Sequence, residues 1–140
     1  MNKNLDEAAR WLMQAEADLR VARWDYEGKF WWEVCFKCQQ AVEKALKGYC
    51  YARGERAVLT HSLVEIGRRC EKHSPGFSKF TPIFSKLDRY YIVARYPNGL
   101  PGLTPAEYFD REEASESLAR ASEILAFVKA KLEEIGLTGV

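Results

Sequence analysis

No stretch of this chain approaches the ~18–20 continuous apolar residues that a membrane span requires, and the N-terminal run MNKNLDEAARW carries no apolar core of a secretion signal. The expected location is therefore the cytoplasm, with no membrane partner. An excess of either charge is also missing: 21 Lys and Arg stand against 20 Asp and Glu, a formal net charge of +1. That balance excludes a chain that binds nucleic acid through a bulk basic field, so any phosphate site must be a local patch. Strand-like alternation bounded by hairpin turns is absent, and no unit repeats, which excludes a sheet and a solenoid.

Histidine is scarce, with two in 140 residues. Cysteine is limited to four, and the pair Cys35 and Cys38 falls inside a helical pattern far from either histidine. A structural zinc site needs four ligands, so these thiols read as small apolar fillers in a reducing compartment, and neither a metal nor another cofactor is expected.

What is present is helical periodicity. Leu5, Ala8, Leu12, Ala15, Leu19, Ala22 and Tyr26 recur at steps of three and four, opened by Asn4 with Glu7 in a capping-box spacing and closed near Gly28. A second helix is expected over about 30 to 53, with Trp31, Val34, Cys38, Ala41, Ala45, Tyr49 and Ala52 on its stripe and Gly54 as the left-handed stop. Ser62 with Glu65 opens a shorter helix. Thr81 and Pro82 start another, whose inner face is Phe80, Phe84, Leu87 and Tyr91. Residues 96–105, with Pro97, Gly99, Pro101 and Gly102, form the one long loop, and Asp110 with Glu113 caps a near-heptad helix through Ile135. The expectation is all-α: an up-and-down four-helix bundle with an additional short helix, one domain over 1–140, with a loose tail after about 136.

Three segments carry a resemblance. They are Cys35-Phe36-Lys37-Cys38-Gln39-Gln40-Ala41-Val42-Glu43-Lys44-Ala45-Leu46-Lys47, then His61-Ser62-Leu63, then Leu87-Asp88-Arg89-Tyr90-Tyr91-Ile92-Val93-Ala94-Arg95-Tyr96-Pro97-Asn98. With Ala15-x-x-Asp18-Leu19 ahead of them, they resemble the HEPN family of helical domains over nearly the whole chain. The resemblance implies a homodimer that works beside a minimal nucleotidyltransferase, in toxin–antitoxin pairs or related defence systems. Some members are metal-independent ribonucleases that use an Arg followed four to six residues later by His. Here the matching arginine is Arg95, and positions 100–102 read Leu100, Pro101 and Gly102. The histidine is missing at that place, and arginine alone cannot move the proton of a 2′-hydroxyl. The resemblance therefore points to a domain that binds a nucleotide or RNA, or a nucleotidyltransferase, without catalysis.

Two other Arg-x-x-x-x-His strings occur, Arg56 to His61 and Arg68 to His73. Arg56 and His61 are the candidate pair for the alternative reading, a ribonuclease toxin; the plainer role for His61 is to orient the chain entering a helix. Arg89, Tyr90, Arg95 and Tyr96 are the candidate ligand-binding cluster, since guanidinium and phenol groups together pair phosphate and stack a base, whereas Tyr91 is expected in the core. Lys44 and Lys47 extend the candidate site along a stripe with Lys37, Gln40 and Tyr51, unless they merely form a solvated flank with Glu43. Phe30, Trp31, Trp32 and Phe36 exceed what one helix face buries and are assigned to a partner subunit, with an aromatic core or a purely structural adaptor as the other readings.

Overall fold

The computed structural model describes residues 2–140, and all regular structure among them is helical. Three long helices form the frame: α1 (Lys3–Glu27), α2 (Trp31–Ala52) and, at the far end of the chain, the helix Arg111–Glu134. Between them lie α3 (Leu63–Glu71), a 3-10 turn at Pro75–Phe80, α4 (Thr81–Asp88), α5 (Tyr90–Val93), a second 3-10 turn at Pro97–Gly99, and α6 (Pro105–Tyr108). The long C-terminal helix is accordingly α7.

α2 is the axis of the bundle. It packs against α1 and α7 on one side and against α3, α4, α5 and α6 on the other. That surrounding explains its burial from Val34 to Cys50, including the polar Gln39, Glu43 and Lys47. α1 comes so near that a Cβ on Gly48 would lie 3.0 Å from Trp11 Cβ and 3.3 Å from the Ala8 carbonyl. The small residues Ala8, Ala15 and Ala22 on the buried face of α1 serve the same close approach.

Four of the expected boundaries coincide with the structure. Ser62 accepts from Glu65 N–H, Asp110 accepts from Glu113 N–H, Thr81 opens α4, and Gly54 sits at φ +90° after α2. The first cap is Asn2 rather than Asn4: Asn2 holds the extended backbone a cap needs and accepts from Asn4 and Leu5 N–H. Asn4 is already one residue into the helix, where its side chain takes a bond from Arg56 at 3.1 Å.

The fourth bundle position holds α3 and the run α4–α5, interrupted at Arg89, rather than one long helix. Its inner face continues from Phe80, Phe84 and Leu87 to Tyr90 and Ala94. The loop 96–105 ends in a capping box beyond those expected, in which Thr104 and Glu107 bond reciprocally and start α6. The tail is not loose at its start, because Leu137 N–H bonds to the Leu132 carbonyl and its side chain returns to the core.

Candidate functional site

Asp88, the last residue of α4, fixes the local geometry. Its carboxylate accepts from the Ser62 hydroxyl at 3.1 Å, from Leu63 N–H at 2.6 Å and from Val64 N–H at 3.1 Å. A negative charge on the first N–H groups of α3 satisfies donors that the helix itself cannot, and suits its dipole. The chemical consequence is that the segment His61-Ser62-Leu63 is pinned beside the start of α5.

His61 projects from that pinned turn onto α2. Its Nδ1 lies 3.1 Å from Glu43 Oε2, and the buried Glu43 carboxylate also pairs with Lys47 Nζ at 3.0 Å. Gln39, one turn earlier on α2, donates to the His61 carbonyl at 3.3 Å. The imidazole is nevertheless 54% exposed, and its ring stacks on Tyr91 with centroids 4.7 Å apart and planes at 18°. Nδ1–H donation to Glu43 would leave Nε2 as the lone-pair nitrogen.

Tyr91 also meets Phe36, with ring centroids 6.5 Å apart. Over this aromatic group lies Arg95, whose guanidinium carbon is 4.8 Å from the Phe36 ring centre, 5.0 Å from Tyr96 and 5.9 Å from Tyr91. Arg95 donates to the Tyr96 hydroxyl at 3.2 Å, and among the described residues no carboxylate lies within ion-pair distance of it. Both Arg95 and Tyr96 are exposed. Rings stacked beneath a guanidinium hold it flat while leaving its N–H donors to a ligand. A cleft of about 410 Å³ adjoins it, walled by Trp32, Phe36, Tyr96 and Pro105.

Several expected site residues fall elsewhere. Tyr90, assigned to the ligand cluster, is a core residue that bonds Glu113 through its hydroxyl and packs edge-on to Phe109. Burial, with Glu113 beside it, raises its phenol well above the ordinary range. Tyr91, expected in the core, takes the open position instead, because the step from Leu87 to the buried face is three residues, not four. Lys44 is tied to Asp18 on α1, and Lys47 is buried against Glu43, so the lysine stripe serves the helix packing rather than an open anion site. Arg89 is exposed at the break between α4 and α5.

The pair Arg56 and His61 is not assembled. Arg56 turns to Asn4 and the Glu55 carbonyl, while His61 belongs to Glu43 and Tyr91. Arg68 and His73 are likewise apart in function, since His73 joins Arg69 on Glu55. The arginine that shares a ring with His61 is Arg95, 34 positions later in the numbering, a proximity that no short spacing rule could reveal. Of the aromatics given to an interface, Phe30 is exposed, while Trp31, Trp32 and Phe36 are half-buried. Trp31 packs on Tyr26 and under Arg111, and Trp32 meets Phe30 edge-on. Cys35 and Cys38 are fully buried, and burial pushes the Cys35 thiol up to about 12, consistent with filler rather than thiolate chemistry.

Comparison with known proteins places this arrangement. The profile of the HEPN domain family matches residues 8–131. In structure the chain resembles TT1696 from Thermus thermophilus, with a TM-score of 0.84 and 37% identity over 89% of this chain and 98% of that one. It also resembles ST0689, an archaeal HEPN homologue, with a TM-score of 0.74 and 31% identity over 90% and 98% of the two chains. In sequence it is 24% identical to a Methanocaldococcus jannaschii protein named "Putative toxin MJ1304", covering 94% of this chain and 91% of that protein. Human sacsin is 30% identical over 91% of this chain, which spans only 3% of sacsin's length. The chain belongs to the HEPN domain family.

Proposed function

We propose that the surface built by Arg95, Tyr91, Tyr96 and His61 binds a phosphate-bearing ligand with a stackable base, a nucleotide or single-stranded RNA. One observation carries this reading: an exposed guanidinium rests on three aromatic rings without a carboxylate partner among the described residues. Arginine so placed can give two parallel N–H bonds to a phosphate, and the phenol rings offer faces to a base. The exposed Phe30 and the cleft at Trp32 and Phe36 supply the contact with a second copy of the chain or with a nucleotidyltransferase.

Fluorescence anisotropy with labelled oligouridine and with ATP and GTP analogues tests this. Binding should weaken steeply with salt, and Arg95→Ala should lower affinity by about tenfold or more, since a charge-assisted phosphate contact is worth roughly 1.5–3 kcal/mol. An Arg95→Ala protein that binds these probes as tightly as the parent sinks the reading.

A second reading, RNA cleavage, is favoured by the stacking of His61 on the ring that Arg95 also covers. In it, His61 Nε2 takes the proton of a ribose 2′-hydroxyl and the freed oxygen attacks the adjacent phosphorus. The bond to the 5′-oxygen then breaks, that oxygen takes up a proton, and a cyclic 2′,3′-phosphate remains. Arg95 holds the phosphoryl oxygens, and Glu43 orients the imidazole without touching substrate. The Methanocaldococcus jannaschii relative is named "Putative toxin MJ1304", and RNA cleavage is one way in which a toxin acts. Incubation of the purified protein with total RNA in the presence of EDTA decides it. Cleavage that disappears in both His61→Ala and Arg95→Ala supports this second reading, and intact RNA leaves binding alone.

A further inference from the structure

A second surface, sharing no residue with the Arg95 site, lies where α1 meets α7. The two helices leave a groove of about 360 Å³ whose floor is Leu19, Leu125 and Ala126. Its rim carries Arg20 and Arg23 from α1 and Lys129 from α7, against Glu16 as the single lining carboxylate, so three positive charges less one negative leave a local surplus of two. On a chain whose total is +1, that is a concentrated field.

The rim cations differ from Arg10, Arg120 and Lys131 of the same two helices and from Lys44 of α2, while Lys3 and Arg111 are, like the rim, without an ion pair among the described residues. Arg10 is paired with Glu7, Lys44 reaches across to Asp18 of α1, Arg120 is shared by Glu116 and Glu123, and Lys131 pairs with Glu134. Arg20, Arg23 and Lys129 form no ion pair among the described residues, and Arg23 has only the Ser122 hydroxyl, at 3.3 Å. Glu16, the carboxylate four residues before Arg20, lines the same groove without forming an ion pair with it, so a positive surplus stays available to an outside group.

α1 also exposes apolar side chains that its own bundle does not use. Trp24 is 77% exposed, Met13 59% and Val21 45%, and Trp24 follows Arg20 by one helical turn. Two unpaired guanidinium groups over an aliphatic trough, with an exposed indole one turn from Arg20, are the composition of a binding surface rather than of a solvated flank.

We infer that the α1–α7 groove docks an acidic amphipathic helix of a partner protein. Aliphatic or aromatic residues on one face of that helix enter the trough over Leu19 and Leu125. Asp or Glu residues flanking that face meet Arg20, Arg23 and Lys129. A helix fits because two packed helices present a groove into which the ridge of a third can lie, and helix-in-groove recognition uses anchors three and four residues apart. The trough favours this occupant over RNA, since its lining holds methyl groups and no ring on which a base could stack, Trp24 lying outside it.

Selection from a random phage-displayed peptide library, run in parallel on the parent protein and on an R20E/R23E variant, tests the assignment. Both positions are exposed on α1, and circular dichroism checks that the variant keeps the parent's helix content and melting. The expected result is enrichment of peptides in which Asp or Glu flank apolar residues at helical spacing. Their synthetic forms should bind R20E/R23E at least about tenfold more weakly than the parent, and bind Arg95→Ala normally. Failure to enrich such peptides, or equal binding to R20E/R23E, overturns the proposal. So does displacement of the peptides by oligouridine in the parent and in Arg95→Ala alike, which would make the groove a nucleic-acid surface. The Arg95→Ala arm keeps this outcome separate from failure of the Arg95 site.

Discussion

α1, α2 and α7 are joined mainly by aliphatic and alanine side chains meeting at close range, whereas residues 53–110, in short helices and turns, are pinned by three carboxylates. Asp88 holds the entry to α3, Glu43 holds His61, and Glu55 holds Arg69 and His73. The first kind of packing is redundant, spread over many contacts; the second places particular atoms and depends on few bonds. A scaffold tolerates averaged packing, whereas the stacked arrangement of His61, Tyr91 and Arg95 needs defined partners, and it lies in the irregular half.

Breaking the regular half should cost the most. Leu12, fully buried on α1, replaced by Ala should destabilise the fold by about 2–5 kcal/mol, the range for a deleted core leucine. Urea denaturation reads the loss, and affinity per folded molecule for oligouridine should stay unchanged; a proportional loss of affinity would mean the two halves are not separable. Asp88→Ala should cost less, about 1–3 kcal/mol for donors left without their acceptor. It should nevertheless weaken ligand binding more than Leu12→Ala does, because it frees the His61 turn. Equal effects on binding would erase the contrast.

Tyr90→Phe removes a phenol from Glu113 while keeping the ring against Phe109. Thermal denaturation should show a loss of about 0.5–1.5 kcal/mol, with no change in ligand affinity, in line with a core role. The smallest effect is electrostatic. Burial opposes ionisation of Glu55, but hydrogen bonds from Arg69 and His73 outweigh it and hold the carboxyl below the ordinary carboxylate range. Its contribution to stability is therefore complete above the unfolded-chain value of about 4.3 and is lost as pH falls through the lower folded-state value. Chemical denaturation across that acid range should show Glu55→Gln with a flatter pH profile than the parent, and an identical slope would deny the pairing any role.

Much of the fold can be read along the chain, because helical periodicity and capping residues act within a few positions. The stripes of α1 and α7, the stop at Gly54 and the caps at Ser62 and Asp110 are of this kind. The candidate site is half legible. Arg95 and Tyr96 stand out from their helix-end setting, and both are exposed where a ligand could reach them. Tyr90 and Tyr91 exchange places, since adjacent residues on a helix face differ by only one step and the break at Arg89 lies between α4 and the pair. Lys44 looks like a free cation in the sequence because its acceptor, Asp18 on α1, is set by packing, whereas Glu43 and Lys47 are the i, i+4 pair that the spacing offers and only their burial is decided by packing.

By itself the sequence determined an all-helical chain, the ends of most of its helices and most of the residues that form its core, because these follow from interactions within one or two turns. Only the tertiary structure decided that His61 belongs with Glu43 and Tyr91 rather than with Arg56, and that Arg95 shares that ring. Such pairings join three separate segments across α2, where the chain path between them, not their spacing in sequence, sets the distance.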